Sequence, residues 1–305
     1  MRIISVDDGG TPQAGIVIGE EVVDVGEFLR RRDLLPESAR GLTVEDFLAF
    51  PDWRQLAEEA ARGAPSWRLQ ELAVGPVVTR PRNVFVVAAN TGSHLKEAGL
   101  HTEGMAPVRP VVLAKSPGAL IGPRDAIVHP AVSEKVDYEA ELGVVIGKAG
   151  RNIPESAAME HVAGYTVTND VSARDYQMSE WEDNTFYRTH YLGKSFDTFC
   201  PCDSSFVTVD EVRVLADHIV RCWVNDELRQ EEKLQGLYFS VQHVVSFISS
   251  VMTLYPGDLI LMGTPAGVGA FADPPAFLAP GDIVTCEIDG IGRITNPVVA
   301  EQAAR

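Results

Sequence analysis

From Asn83 onward this chain is a succession of short apolar segments separated by turn residues, and that pattern admits few folds. N-V-F-V-V-A-A at 83–89 has the composition of a buried strand, and 110–114, 136–146 and 162–168 are similar. Two P-G-D turns, at 256–258 and 280–282, each precede another such run, L-I-L-M and I-V-T-C-E-I. Helical signals are confined to 154–161, where Pro opens the first turn, and to 238–249. The strand–helix alternation of a Rossmann or TIM fold is absent. Many short strands with few helices predict a β-rich α+β fold whose mixed sheet closes into a roll or barrel.

Residues 1–77 read as a small N-terminal α/β accessory domain ahead of a main domain over 78–305. The segment 1–25 alternates apolar and polar residues around G-G-T-P and I-G-E-E, which predicts short strands and hairpins. A helix is expected over 43–62, with Thr43 as N-cap, Asp46 three residues on, and Phe47, Leu48 and Leu56 on an apolar side. A link punctuated by Pro follows.

Composition narrows the function. Lys and Arg number 26 against 43 Asp and Glu, a formal charge of −17 that repels phosphate backbones and argues against a nucleic-acid partner. A local basic pocket for a small anion remains compatible with it. No apolar run approaches membrane-spanning length, and the start, M-R-I-I-S-V-D-D, lacks the apolar stretch of a signal peptide, so a cytoplasmic protein without a membrane partner is expected. The four cysteines include C-P-C at 200–202 but no second pair at zinc spacing, which fits reduced structural thiols.

One strand carries chemistry. In V-D-Y-E-A-E-L-G-V-V-I-G, at 136–147, Asp137, Glu139 and Glu141 alternate with Val136, Tyr138, Ala140 and Leu142. Successive strand side chains point to opposite faces, so the three acids share one. Carboxylates so spaced can converge on one cation, and Asp170, at the end of the apolar segment T-V-T-N-D, is the next candidate donor. An all-carboxylate set favours a hard ion such as Mg²⁺ or Mn²⁺ over structural zinc. Spacing alone favours a half-exposed strand with one solvated face.

A series of motifs separates the two. D-Y-E-A-E-L-G-V-V-I-G-K, G-Y-T-V-T-N-D-V-S-A-R-D-Y-Q, G-K-S-F-D-T-F-C-P, V-N-D-E, L-Y-P-G-D-L-I-L-M-G-T-P-A-G-V-G and P-G-D-I-V occur in that order between about 83 and 298. Together they resemble the fumarylacetoacetate hydrolase family. The resemblance implies a mixed β-roll core, a homodimer, and Mg²⁺ or Mn²⁺ held by Glu139, Glu141 and Asp170, with Asp137 not a ligand but an acid behind the ligands or on the surface. It implies a lid helix whose His94 and Glu97 activate water, the i, i+3 spacing placing both on one face. Lys194, Arg174, Gln177 and Thr264 match polar positions of the family's pocket. There Arg174 could grip a substrate carboxylate, Lys194 could steady an enolate and Thr264 belongs to the loop closing over the substrate.

The activity so implied is hydrolysis of a C–C bond in a small 2,4-dioxo acid, acylpyruvate- or fumarylpyruvate-like, through an enolate at a divalent metal. Decarboxylases of oxaloacetate type, isomerases and hydratases of 2-oxo acids share the family. A non-catalytic ligand-binding protein is disfavoured by the full set of acids, dyad and lysine. Three departures fall near the expected pocket: Thr91 where Tyr is frequent, a long aromatic segment between Asp175 and Lys194, and P-C-D-S-S from Pro201.

Overall fold

The computed structural model describes residues 1–39, 41–99, 108–177 and 189–302. Eleven strands form one mixed sheet. Its order runs Trp67–Arg68, Glu21–Asp24, Thr11–Ile18, Arg2–Asp8, Ser205–Thr208, Val162–Asn169, Ala140–Ile146, Leu259–Leu261, Val84–Ala88, Val111–Lys115. Ala73–Val74 pairs separately against Arg2–Asp8. Neighbours are antiparallel except Leu259–Leu261 beside Val84–Ala88.

A five-stranded sheet, ordered Glu227–Lys233, Ile219–Val224, Ile283–Ile288, Gly292–Ala300, Ile127–His129, packs across the two central strands of the first. Val162–Asn169 and Ala140–Ile146 are therefore buried along their whole length. Their near-continuous apolar sequences reflect that double cover. The β-rich α+β expectation holds, but no barrel closes. The large sheet ends at Trp67–Arg68 and Val111–Lys115, which do not pair with each other, and the smaller sheet lies across it.

The first 77 residues share sheet and core with the rest. Ile3 faces Phe206 across an antiparallel pair, and the Met1 ammonium donates to Thr208 Oγ1 at 2.7 Å. Ile3, Phe47 and Leu56 belong to one buried cluster with Leu142 and Val167.

Two elements are split where one was expected. Over 43–62 there are two helices, Val44–Leu48 and Trp53–Ala60. Thr43 caps the first, its Oγ1 accepting the Asp46 N–H at 3.1 Å. Pro51 then ends it, because proline disfavours helical geometry at the residue before it and lacks a donor. Over 136–146 the strand divides into Val136–Asp137, paired with Ser172–Ala173, and Ala140–Ile146 in the large sheet. At the break, side chains replace ladder partners. The Tyr138 N–H donates to Asp137 Oδ1 at 2.9 Å and the Glu139 N–H to Asn169 Oδ1 at 2.9 Å. Simple alternation of three acids on one face does not survive this break: Asp137 accepts from the Gly269 and Ala270 N–H groups and shares only Arg174 with Glu139.

Candidate active site

Glu139, Glu141 and Asp170 meet because their strands are neighbours. Ala140 pairs with Asn169, and the Asp170 N–H donates to the Glu139 carbonyl at 2.8 Å, so both acids of E-A-E lie against the end of Val162–Asn169. One oxygen from each of the three carboxylates lies within 4.8 Å of the others. All three side chains are buried, Asp170 completely.

Burying three acids together is costly unless charge is compensated. Lys194 Nζ lies between two of them, donating to Glu139 Oε2 at 2.8 Å, to Asp170 and to Ser172 Oγ at 2.9 Å. Burial opposes the charge on Lys194, but Asp170 and Glu139 outweigh it and hold the ammonium above the ordinary lysine range. Burial likewise opposes ionisation of Glu139, yet Lys194 and Arg174 keep its carboxyl well below the usual range. Asp170 Oδ1 lies 2.8 Å from Lys115 Nζ, whose other partners are the carbonyls of Val171 and Phe199.

Glu141 differs. Among the described residues it has no ion pair, and its Oε2 accepts only the Gly263 N–H, at 2.6 Å. Burial, then the charges of Asp170 and Glu139, push its carboxyl well above the usual range. Asp137, Glu139, Glu141 and Asp170 thus face Arg174, Lys115 and Lys194, leaving one carboxylate uncompensated. A hard divalent cation fits this donor set, which is all oxygen and short of positive charge.

The remaining expected residues gather around the same cavity of about 220 Å³, lined by His94, Glu139, Glu141, Arg174, Gln177, Lys194 and Thr264 among others. His94 sits on the helix Gly92–Glu97, its Nδ1 2.8 Å from Glu97 Oε1. Glu97 Oε2 accepts the Gly267 N–H at 2.8 Å, so both its oxygens are engaged and its orientation is fixed. Gln177 Oε1 accepts from Arg174 at 3.1 Å. The Thr264 hydroxyl donates to the Ala140 carbonyl at 3.0 Å and accepts from Gln230 Nε2 at 2.8 Å. Arg174 is not free to grip a substrate carboxylate with its fork, as expected from sequence: its nitrogens are held by Asp137 and Glu139 at 2.7–2.9 Å. The opposite wall is apolar, built by Leu95, Ala98, Leu113 and Phe271, and the Phe271 ring centre is 5.7 Å from that of His94.

Several contributors escaped sequence reasoning. Lys115 lies one residue beyond the strand expected over 110–114 and belongs to no motif that marks it. Gln230 bonds the Ala140 N–H, Thr264 and the Pro265 carbonyl from a distant strand. Gly263 has φ +99°, and a Cβ there would lie 2.9 Å from Asn90 Cβ, so only glycine lets this N–H reach Glu141. Of the three departures, Thr91 donates to the Thr264 carbonyl at 2.5 Å and ties the helix to the G-T-P loop. P-C-D-S-S places Cys202 and Asp203 in the core rather than at the pocket. The long aromatic segment lies mostly outside the described residues.

A buried acid cluster, a basic dyad and a lysine around one cleft on a mixed sheet define an enzyme's site. Residues 83–299 match the model of the fumarylacetoacetate hydrolase C-terminal domain. The chain is 44% identical over 226 residues to a bovine protein named oxaloacetate tautomerase FAHD2B, mitochondrial, a match covering 73% of this chain and 68% of that one. Among solved structures, a putative HpcE protein from Mycobacterium smegmatis superposes with a TM-score of 0.84 at 34% identity, covering 99% of this chain and all of that one. A maleylpyruvate hydrolase from Sphingobium sp. SYK-6, in complex with manganese(II) and pyruvate, gives 0.77 at 28%, over 99% and 100% of the two chains. The chain belongs to the fumarylacetoacetate hydrolase family. The acid cluster and the manganese-bound relative together suggest a divalent metal here.

Proposed function

We propose that this enzyme uses Mg²⁺ or Mn²⁺, held by Glu139, Glu141 and Asp170, to hydrolyse a C–C bond in a small 2,4-dioxo acid of acylpyruvate or fumarylpyruvate type. The observation that carries the reading is His94, held by Glu97, lining the same cavity as Glu139 and Glu141. When bound, the cation would supply a Lewis acid for the substrate's carboxylate and 2-oxo oxygens. Glu97 accepts from Nδ1–H of His94 and so leaves Nε2 as the basic nitrogen. Nε2 takes a proton from water, and the hydroxide adds to the 4-carbonyl. The C3–C4 bond breaks, its electrons pass into an enolate over C2 and C3, and the proton held on His94 returns to C3. Lys194, with its three donors already engaged, contributes as a fixed positive charge beside that enolate. The apolar wall suits a short acyl group.

A second reading has a specific support. Relatives of 41–44% identity carry the name oxaloacetate tautomerase, and moving a proton between C3 and an enol oxygen needs the same base and the same cluster without water attack. Oxaloacetate decarboxylation, the further alternative, would release carbon dioxide. Acylpyruvates, fumarylpyruvate and oxaloacetate offered with Mg²⁺ or Mn²⁺ in H₂¹⁸O separate the three. Label in the released acid establishes hydrolysis. Enol-to-keto conversion without bond cleavage establishes the tautomerase, and release of carbon dioxide from oxaloacetate the decarboxylase. No turnover of any of them overturns the proposal. A homodimer, which the family resemblance implies, and a cytoplasmic location belong to this proposal.

A further inference from the structure

Asp137 stands beside the clustered acids without joining them, and its contacts all end on parts of the site. It is fully buried. Its Oδ1 accepts the N–H groups of Gly269 at 2.7 Å and Tyr138 at 2.9 Å. Its Oδ2 accepts the Ala270 N–H at 2.9 Å and Arg174 Nε at 2.9 Å, with Arg174 Nη2 2.8 Å away. The remaining guanidinium nitrogen, Nη1, lies 2.7 Å from Glu139 Oε1. The loop that Asp137 anchors also meets the helix carrying His94 and Glu97. Gly267, two residues before Gly269, holds Glu97, and Phe271, two residues after, packs against His94. A Cβ on Gly269 would fall 2.8 Å from Asp137 Oδ1, so this close approach depends on glycine.

We propose that Asp137 is a positioning residue for the metal centre. By clamping the Arg174 fork it aims Nη1 at Glu139 Oε1, which leaves Oε2 turned into the acid cluster. By anchoring the Gly269–Ala270 backbone it sets the loop that orients Glu97 and so His94. A carboxylate that served only to finish a turn would need one or two donors. Asp137 collects three backbone N–H groups and two nitrogens of one arginine from three separate segments. Partners of this kind, one bond removed from a metal ligand, orient it and tune its affinity. The inference rests on the metal site proposed above.

Calorimetric titration of Mn²⁺ into the apo protein tests it without relying on turnover. Asp137→Asn preserves shape and one acceptor but offers Arg174 no charge, and Arg174→Lys preserves charge but removes the fork. Each should weaken Mn²⁺ binding about 10- to 100-fold while the far-ultraviolet circular dichroism is unchanged. The double variant should bind no more weakly than the weaker single one, because both changes break one link. Binding within threefold of wild type in either single variant, or losses that multiply in the double, overturns the inference. Should Asp137→Asn not fold, Arg174→Lys carries the test alone with the same criterion. Wild-type protein that takes up no Mn²⁺ overturns the metal-site reading itself, whereas wild-type binding with unaffected variants overturns this inference only.

Discussion

Glu141→Gln should make the metal-free enzyme more stable and the metal-loaded enzyme less so. Glu141 is the one acid of the cluster without an ion pair among the described residues, and it is crowded by Asp170 and Glu139. Glutamine keeps its volume, and its amide oxygen can still accept the Gly263 N–H. The carboxyl titrates above its ordinary value of 4.5 in the folded chain, so the folded state binds the proton more tightly than the unfolded one. Stability from this group is then fully present below 4.5 and is lost as pH rises toward the folded value. Each unit by which the folded value exceeds the ordinary one is worth about 1.4 kcal/mol, all of it lost by the metal-free wild type once the pH passes the folded value. For a chain of 305 residues each kcal/mol so recovered raises Tm by roughly 1.5 °C, so the variant should melt higher than wild type in chelator. The gap should close at pH 4. With Mn²⁺ at a hundred times its Kd, wild type gains about 2.7 kcal/mol by mass action, and the variant, missing a donor, gains much less. Differential scanning calorimetry with chelator and with Mn²⁺ reads both effects, and the order of the two proteins should invert. A variant less stable than wild type in chelator at pH 7, or one that gains as much from Mn²⁺, would refute the reasoning.

Other perturbations separate stability from chemistry. Gly263→Ala places a Cβ 2.9 Å from Asn90 Cβ at φ +99°, and should cost about 1–3 kcal/mol in urea unfolding as well as weakening Mn²⁺ binding. Lys115→Met leaves Asp170 Oδ1 buried without its cation and should destabilise the fold by about 3–5 kcal/mol, an effect that added Mn²⁺ offsets in part. His94→Gln should lower kcat about 10²- to 10⁴-fold with Mn²⁺ affinity unchanged, since His94 bonds Glu97 rather than the acid cluster. Glu139→Ala should abolish both metal uptake and turnover while circular dichroism stays native.

The sequence disclosed elements best where one residue type or one period decides them. The buried strands around Val84–Ala88, Ala140–Ile146 and Val162–Asn169 follow from apolar runs, and Thr43 caps its helix as its chemistry demands. The resemblance placed Glu139, Glu141, Asp170, His94, Glu97, Lys194, Arg174, Gln177 and Thr264, and the fold brings them to one cleft. What stayed hidden is what depends on partners far away in sequence. Arg174 presents a free fork on paper, and only the fold sets Asp137 and Glu139 across from it. Lys115 is one lysine at a strand end until Asp170 arrives from 55 positions on. The open sheet was illegible for a similar reason: strand content is a local property, but closure depends on which edges meet.

The pairing of Arg2–Asp8 with Ser205–Thr208 imposes an order on synthesis. A ribosome delivers the first strand, and its hairpin mate Thr11–Ile18, long before the second partner exists. Until Ser205–Thr208 emerges, Ala73–Val74 can cover the edge at Val6 and Asp7, but the edge at Arg2–Ile4 has no partner. Contacts that close so late slow folding and leave strand edges open to wrong partners. A gene truncated to begin at residue 78 would have the opposite defect. Ser205–Thr208 would then become an uncovered edge over an apolar core, and such a fragment should be recovered as aggregate although every clustered acid and the His94–Glu97 pair are present.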